Sequence, residues 1–414
     1  MVGTLETRAL IEAEPEQVGL SSKGLANVTR LVQGYVDGGR YAGALSLVAR
    51  RGKVVHAETY GLMDVAAGEP MRPDTIFRIY SMSKPIASVA LMMLYEAGRF
   101  QLDDPASKFI PEWKGLKVRS GGTEEAPELR DPAREISVRD LLMHMSGLQL
   151  RPPTSNPGAA IGQMERSQQG RTLADTVRDL STRPLLFDPG SRWSYGISTD
   201  IVGYLCEVLS GQNFDQYLRE RIFEPLGMTD SGFTVRPSEI DRFAACYRRG
   251  QDGEPAYVLQ DAPADSVYVR PRTYFSGAGG MVSTASDYLR FCKMLAGGGE
   301  LDGVRILGSR TVAFMASNHL PGGQDLTALA GGSFNETSVD GIGFGLGFAV
   351  LENPQAAQLL GTPGEYYWGG AASTAFFINP AEELIMIFLT QLLPSSAYPI
   401  RRELRSIIYS SIID

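Results

Sequence analysis

Cysteine is scarce in this chain. Cys206, Cys246 and Cys292 are far apart, odd in number and in no C-x-x-C pair, which excludes a disulfide framework and reads as reduced, buried thiols of a cytoplasmic protein. Histidine is as rare: His56, His144 and His319 are the only ones. None has a partner ligand at zinc-site spacing, so neither a metal nor a cofactor is expected. No apolar run reaches the roughly 18 residues that cross a bilayer. The opening Met1-Val2-Gly3-Thr4-Leu5-Glu6-Thr7-Arg8 has no basic n-region and no apolar h-region, so neither a signal peptide nor a membrane partner is expected. An excess of positive charge is missing too. The net charge is −8 and the arginine pairs at 50–51, 248–249 and 401–402 form no basic stripe, which argues against nucleic acid as a partner. Internal repeats and low-complexity segments are absent.

What is present is an ordinary globular composition. With 414 residues and 43% hydrophobic content, the chain buries a large core and divides into two lobes. Residues 18–36 read as a helix capped by Ser21 or Ser22 and ended at Gly38-Gly39. Gly43 to Ala49 and Val54 to Tyr60 read as a hairpin turning at Arg50-Arg51-Gly52. From about residue 101 helical segments alternate with polar, Gly/Pro-rich loops at 115–135, 150–171 and 250–273, a lid or wall rather than core. Ser137 to His144 and Thr199 to Leu209 are the helix candidates there. A further helix follows Gly277-Ala278-Gly279-Gly280 as far as Leu295. Phe344 to Leu351, Ala375 to Ile378 and Leu384 to Thr390 read as strands, and Ile400, Leu404, Ile407, Ile408 and Ile412 mark one face of a closing helix. The expected fold class is α/β (α+β): one antiparallel sheet built from both termini and flanked by helices, with an inserted, mostly helical domain. The domains would be 1–100 with 274–414, and 101–273, the site lying between them.

Three stretches carry candidate chemistry. Phe77-Arg78-Ile79-Tyr80-Ser81-Met82-Ser83-Lys84-Pro85 sets Ser81 and Lys84 three residues apart, ahead of an apolar run from Ile86 to Ala97 that is apolar in every direction, as in a buried helix. Both side chains then share a face at its first turn. A serine hydroxyl needs a base, and a lysine amine serves as one when burial or a neighbouring cation lowers its pKa. By chance alone, seven lysines give roughly half an S-x-x-K match, so this stretch by itself also reads as a capped helix start with a solvated lysine. Pro189 to Asp200 is a turn entering a helix and presents Tyr195, either a proton relay or an aromatic packed under a loop. Tyr366-Tyr367-Trp368-Gly369-Gly370-Ala371-Ala372 precedes a strand; paired glycines let backbone N–H groups approach a ligand, or simply make a turn.

Taken together and in this order, with the segments LLMHMSGL at 141–148, DPGSRWSYGISTDIVG at 188–203, FEPLGMTDSGF at 223–233 and GAGGMVSTASDYLRF at 277–291, these stretches resemble the serine β-lactamase/penicillin-binding-protein superfamily. Within it the chain looks most like the family VIII carboxylesterases, relatives of class C β-lactamases, over nearly its whole length. The resemblance implies Ser81 as acylated nucleophile, Lys84 as its base, Tyr195 as proton relay, and the N–H groups of Ser81 and Ala371 as oxyanion hole; His144 is then structural.

Two departures bear on substrate. Where β-lactam-binding members carry Lys-Thr-Gly or a close variant, this chain has Trp368-Gly369-Gly370. An indole has no charge for a substrate carboxylate, so a neutral, apolar acyl or alcohol group is favoured. Ile197 stands where Tyr-x-Asn or Tyr-x-Ser supplies an amide or hydroxyl, with Ser198 next door. Both departures match the esterase branch, which implies hydrolysis of a small-molecule ester with a short or medium acyl chain. Trp368, Gly369, Gly370, Ile197 and Tyr367 are the candidate substrate contacts, and Trp193, Tyr274, Phe275 and Tyr366 are expected to add apolar walls. No serine sits in a G-x-S-x-G elbow, which excludes the usual α/β-hydrolase arrangement. The alternatives are β-lactamase or D-alanyl peptidase activity on the same scaffold, with Arg270 or Arg272 approaching in place of the missing cation, and a non-catalytic binding module. Whether the loops 150–171 and 321–343 cover the site, and the oligomeric state, are left open by the sequence.

Overall fold

A computed structural model describes residues 10–123, 126–149, 165–330 and 340–414. The first helix, α1 (Ser22–Asp37), starts where the Ser21 side chain accepts from the Gly24 N–H. Two long strands follow, β1 (Gly43–Arg50) and β2 (Lys53–Asp64), with short β3 (Glu69–Pro70). The other strands of the sheet come from the far end of the chain: β4 (Ile342–Phe344), β5 (Ala349–Leu351), β6 (Glu365–Gly369), β7 (Ala375–Asn379) and β8 (Leu384–Thr390). They form one sheet in the order β4-β5-β6-β7-β8-β1-β2-β3, antiparallel throughout. Leu45 faces Leu389 across the β1–β8 seam, so the two ends of the chain share a sheet.

Strand alternation sends side chains to two cores. Ala44, Val48, Phe377, Met386 and Phe388 meet α1 and the closing helix α7 (Ile400–Ser410) on one face. Leu45, Leu47, Phe376, Ile387 and Leu389 meet the other core, which includes α2 (Ser83–Glu96) and α6 (Ala285–Ala296). Helix α2 is buried from Ser83 through Met92, in accord with its apolar composition. The intervening segment brings α3 (Val138–Leu142), α4 (Leu173–Ser181) and α5 (Ser198–Ser210), and α5 packs on α2.

Three expectations need correction. The run Phe344 to Leu351 is two strands, because Gly345-Leu346-Gly347 turns the chain between them, Gly347 at φ +99°. The stretches read as loops hold strands: Val118–Gly122 pairs with Pro127–Arg130, and Tyr257–Asp261, within 250–273, pairs with Cys246–Arg249 just ahead of it, which also pairs in parallel with Leu392–Leu393. Much of the first hairpin is exposed or half-buried on both faces, so it leaves no alternating apolar signal. Tyr366 to Gly369, read only as leading into the strand at Ala375, itself lies on strand β6, and β7 follows it. Of the loops 150–171 and 321–343, residues 150–164 and 331–339 fall outside the described residues.

Candidate active site

The backbone that carries Ser81 is pinned before it turns. Phe77–Arg78 pairs with Val282–Ser283, and the Ile79 N–H reaches the Met281 carbonyl at 3.1 Å. The fully buried Arg78 donates to Asp261 at 2.8 Å and stacks 3.9 Å from the Phe243 ring centre. Tyr80 then adopts φ +44°, strained for a side chain of its size. One tight turn, Tyr80–Met82, passes into α2. Ser81 is half-buried there, and Lys84, 4% exposed, donates from Nζ to Ser81 Oγ at 3.2 Å and to the Ala278 carbonyl at 2.6 Å. Its Nζ lies 4.5 Å from the centre of the Tyr195 ring.

Tyr195 comes from the second stretch, which is hung on its neighbours by backbone hydrogen bonds. Gly190 N–H donates to Met145 O and Ser194 N–H to His144 O, both at 2.8 Å, and Trp193 N–H to Leu329 O at 3.0 Å. Trp193 stacks on Tyr195 at 5.9 Å, His144 lies 4.9 Å away and Trp368 5.4 Å away, centre to centre. His144, at φ +57°, is buried with its Nδ1 unpartnered. Burial holds its pKa well below the usual histidine value, and the Lys84 charge acts in the same direction. It is a neutral ring under the tyrosine. Ile197, half-buried, stands at the start of α5 and its carbonyl accepts from the Asp200 N–H at 2.9 Å.

The third stretch closes the site along β6. Trp368, 4% exposed, faces the α2 side and meets Phe344 at 5.4 Å as well as Tyr195. Tyr367, one residue before it, turns to the opposite sheet face, where the Arg405 guanidinium sits 5.1 Å from its ring centre. It is therefore not placed beside Ser81, and the neighbouring Tyr366 is buried against Phe348. Tyr274 is likewise buried, its hydroxyl spent on Asp200; Phe275 packs on Phe233. Of the expected aromatic walls, Trp193 and Trp368 stand with Tyr195. A Cβ added at Gly370 would come within 2.4 Å of the Ile79 carbonyl oxygen, so glycine lets the end of β6 touch the turn that bears Ser81. Ala371 and Ala372 pack against Tyr80 beside it.

Sequence reasoning passed over two groups. Asp200, in the first turn of α5, reads as an ordinary helix-start acid, yet it is buried and accepts from Ser276 Oγ, Tyr274 Oη and Ala278 N–H. The signal was its setting among Ile201, Val202 and Leu205, all buried. Arg401 of α7 donates to the carbonyls of Gly370 and Thr374 at 2.8 and 2.7 Å, and its guanidinium fills the space beside Gly369. Arg270 and Arg272, the expected stand-ins for a cation at Trp368, bond instead to the Asp265 and Gly280 carbonyls.

Comparison with known proteins settles the family. The beta-lactamase family profile matches residues 28–408. This chain belongs to the beta-lactamase family. Within it, the chain is 31% identical to esterase EstB of Burkholderia gladioli over 90% of its own length and 91% of that protein's. The structure of EstCE1, described as a hydrolase with promiscuous acyltransferase activity, superposes with a TM-score of 0.74 at 27% identity, covering 94% of this chain and 99% of that one. Simvastatin synthase (LovD) of Aspergillus terreus shares the fold, with a TM-score of 0.76 at 22% identity over 94% and 98% of the two chains. The beta-lactamase-family chain described here is thus a serine hydrolase of that fold with esterase and acyltransferase relatives.

Proposed function

We propose that the protein is a serine carboxylesterase that hydrolyses short- to medium-chain acyl esters through an acyl-enzyme on Ser81. The observation that carries this reading is the contact of the buried Lys84 with Ser81 Oγ, at 3.2 Å, under the Tyr195 ring. In the forward step the Lys84 amine takes the Ser81 proton as Oγ bonds to the ester carbonyl carbon. The N–H groups of Ser81 and Ala371 stabilise the oxyanion, a contribution of about 10²–10³ in rate for one such donor. As the carbonyl re-forms, the C–O bond to the alcohol breaks and the alcohol leaves with a proton relayed by Tyr195. Water then attacks the acyl-enzyme, gives a proton to the same Lys84–Tyr195 pair, and releases the carboxylic acid with Ser81 restored.

The choice of an ester over a β-lactam is supported by the side chain at 368. An indole packed among Tyr195 and Phe344 stands where β-lactam-binding relatives are expected to hold a lysine, and a substrate carboxylate meets no ammonium there. Esterase EstB, similar over most of the chain, supports the same reading. The test is burst and steady-state hydrolysis of p-nitrophenyl butyrate beside a chromogenic cephalosporin. Ser81→Ala is expected to lose at least about 10³-fold in kcat, because nucleophile and base act as a unit. Efficient cephalosporin turnover would move the protein to β-lactam chemistry. An absence of both activities and of any acyl-enzyme by mass spectrometry would leave a binding module.

A further inference from the structure

We propose that Asp200 is a positioning residue of this site: its carboxylate anchors Ala278 so that the Ala278 carbonyl aims Lys84 at Ser81, and its negative charge faces the lysine across that loop. The inference rests on reading Ser81 and Lys84 as nucleophile and base, and deepens it.

The geometry is a short chain of contacts. Asp200 Oδ1 accepts from the Ala278 N–H at 2.9 Å and from Ser276 Oγ at 2.6 Å, while Oδ2 accepts from Tyr274 Oη at 2.9 Å. One peptide further on, the Ala278 carbonyl accepts from Lys84 Nζ at 2.6 Å, and Nζ donates to Ser81 Oγ at 3.2 Å. The loop that bears Ala278 is confined. A Cβ at Gly277 would lie 2.7 Å from the Thr199 carbonyl oxygen and 3.2 Å from Ala87, so the backbone runs tightly between α5 and α2. With glycine on either side of Ala278, the loop has few side chains of its own to fix its orientation. Asp200 supplies a fixed point from α5.

The donors argue that the carboxyl is ionised. An N–H can only donate, and the Tyr274 hydroxyl, which accepts from Thr176 Oγ1 at 3.1 Å, has its own proton free for Asp200. Burial is the largest effect and holds the Asp200 carboxyl above its usual value, while the Ser276, Ala278 and Tyr274 hydrogen bonds and the Lys84 charge pull it back down. The titratable groups that face this assembly are Lys84 from α2, His144 and Tyr195 from the aromatic cluster, Tyr274, and Arg171, whose charge acts on Tyr274.

A purely structural role and a positioning role differ in what they do to pH dependence. Loss of an anion beside an amine favours the uncharged amine, and loss of a donor that holds the carboxyl ionised acts in the same direction, less strongly. The experiment is the rate of Ser81 labelling by a fluorophosphonate as a function of pH, read by mass spectrometry for wild type, Asp200→Asn and Tyr274→Phe, with thermal melts alongside. Asp200→Asn is expected to slow the plateau rate by up to about 10²-fold, the scale of a misplaced catalytic group, and to move the acidic limb to lower pH. Tyr274→Phe removes one of the donors that hold the carboxyl ionised and is expected to move that limb to lower pH by a smaller amount, so it carries the test if Asp200→Asn does not fold. Slower labelling with the limb unmoved in the folded variants would reduce Asp200 to scaffolding and overturn the proposal. Failure of the wild type to label at Ser81 is a separate outcome: it overturns the nucleophile assignment itself, and this inference falls with it.

Discussion

A single missing methyl group governs how close β6 comes to Ser81. At Gly370 a Cβ would sit 2.2 Å from Thr374 Oγ1 and 2.4 Å from the Ile79 carbonyl oxygen, and the second contact is backbone that is itself hydrogen-bonded to Met281. Gly370→Ala therefore has to move the end of the strand and, with it, the Ala371 N–H. We expect kcat on p-nitrophenyl butyrate to fall by about 10²-fold, the weight of one oxyanion donor, while the melting temperature shifts far less. An unchanged kcat would overturn the oxyanion role proposed for Ala371. Single residues were legible in the sequence where reactive side chains stood at short, fixed spacing, as with Ser81 and Lys84. Tyr367 was misplaced because neighbours on a strand point to opposite faces, which no motif records unless the strand itself is recognised. Asp200 was missed because a buried acid in a first helical turn looks like a solvated one until its three donors are seen.

At the scale of elements, the packing of α1 on the sheet encloses a polar cluster that titrates. Ser46 of β1 lies 2.8 Å from His56 Nε2 and 3.1 Å from Tyr60 Oη, whose proton goes to Glu58 at 2.9 Å, all beneath the helix that carries Thr29. Burial holds the His56 pKa below the usual value, with Glu58 acting against it. The folded state thus binds fewer protons here than the unfolded chain, whose histidine titrates near 6.5. This contribution to stability is complete above about pH 6.5 and is lost as pH falls toward the folded-state value, at up to about 1.4 kcal/mol per pH unit. Urea unfolding at about pH 7.5 and about pH 5 should show wild type losing more stability than His56→Gln, with the remaining groups common to both. Equal losses would show that His56 carries no such linkage. Helix α2 was legible because it is apolar on every side, and β1–β2 because apolar runs flank an Arg-Arg-Gly turn. The hairpins at 118–130 and 246–261 were not, since much of their surface is half-buried or exposed and a Gly/Pro-rich strand has the composition of a loop.

Over the whole molecule, the site depends on both ends of the sequence. Helix α7 lies beside α1, Leu20 bridges Ile412, and Arg50 is paired with Glu382 and Asp414. The same helix sends Arg401 to the carbonyls of Gly370 and Thr374, so it joins one core of the sheet to the turn at the end of β6. A chain ended at Pro399 would lose Ile400, Leu404 and Ile408 from that core. Burial of each is worth about 2–5 kcal/mol, against a total of roughly 5–15 kcal/mol for a domain. We expect such a chain to show no cooperative thermal transition by circular dichroism; a retained transition would make α7 an accessory.

The seam between β1 and β8 sets a condition on biosynthesis. Arg50 finds its partner at Leu384, roughly 330 residues later, which at 5–20 residues per second is some tens of seconds of translation. Throughout that interval the β1–β2 hairpin has emerged from the ribosome with one edge unpaired and its apolar side chains uncovered. A nascent chain of this topology has to be kept from sticking to its neighbours until its last strands are made, and slow passage through the C-terminal codons would prolong that exposure.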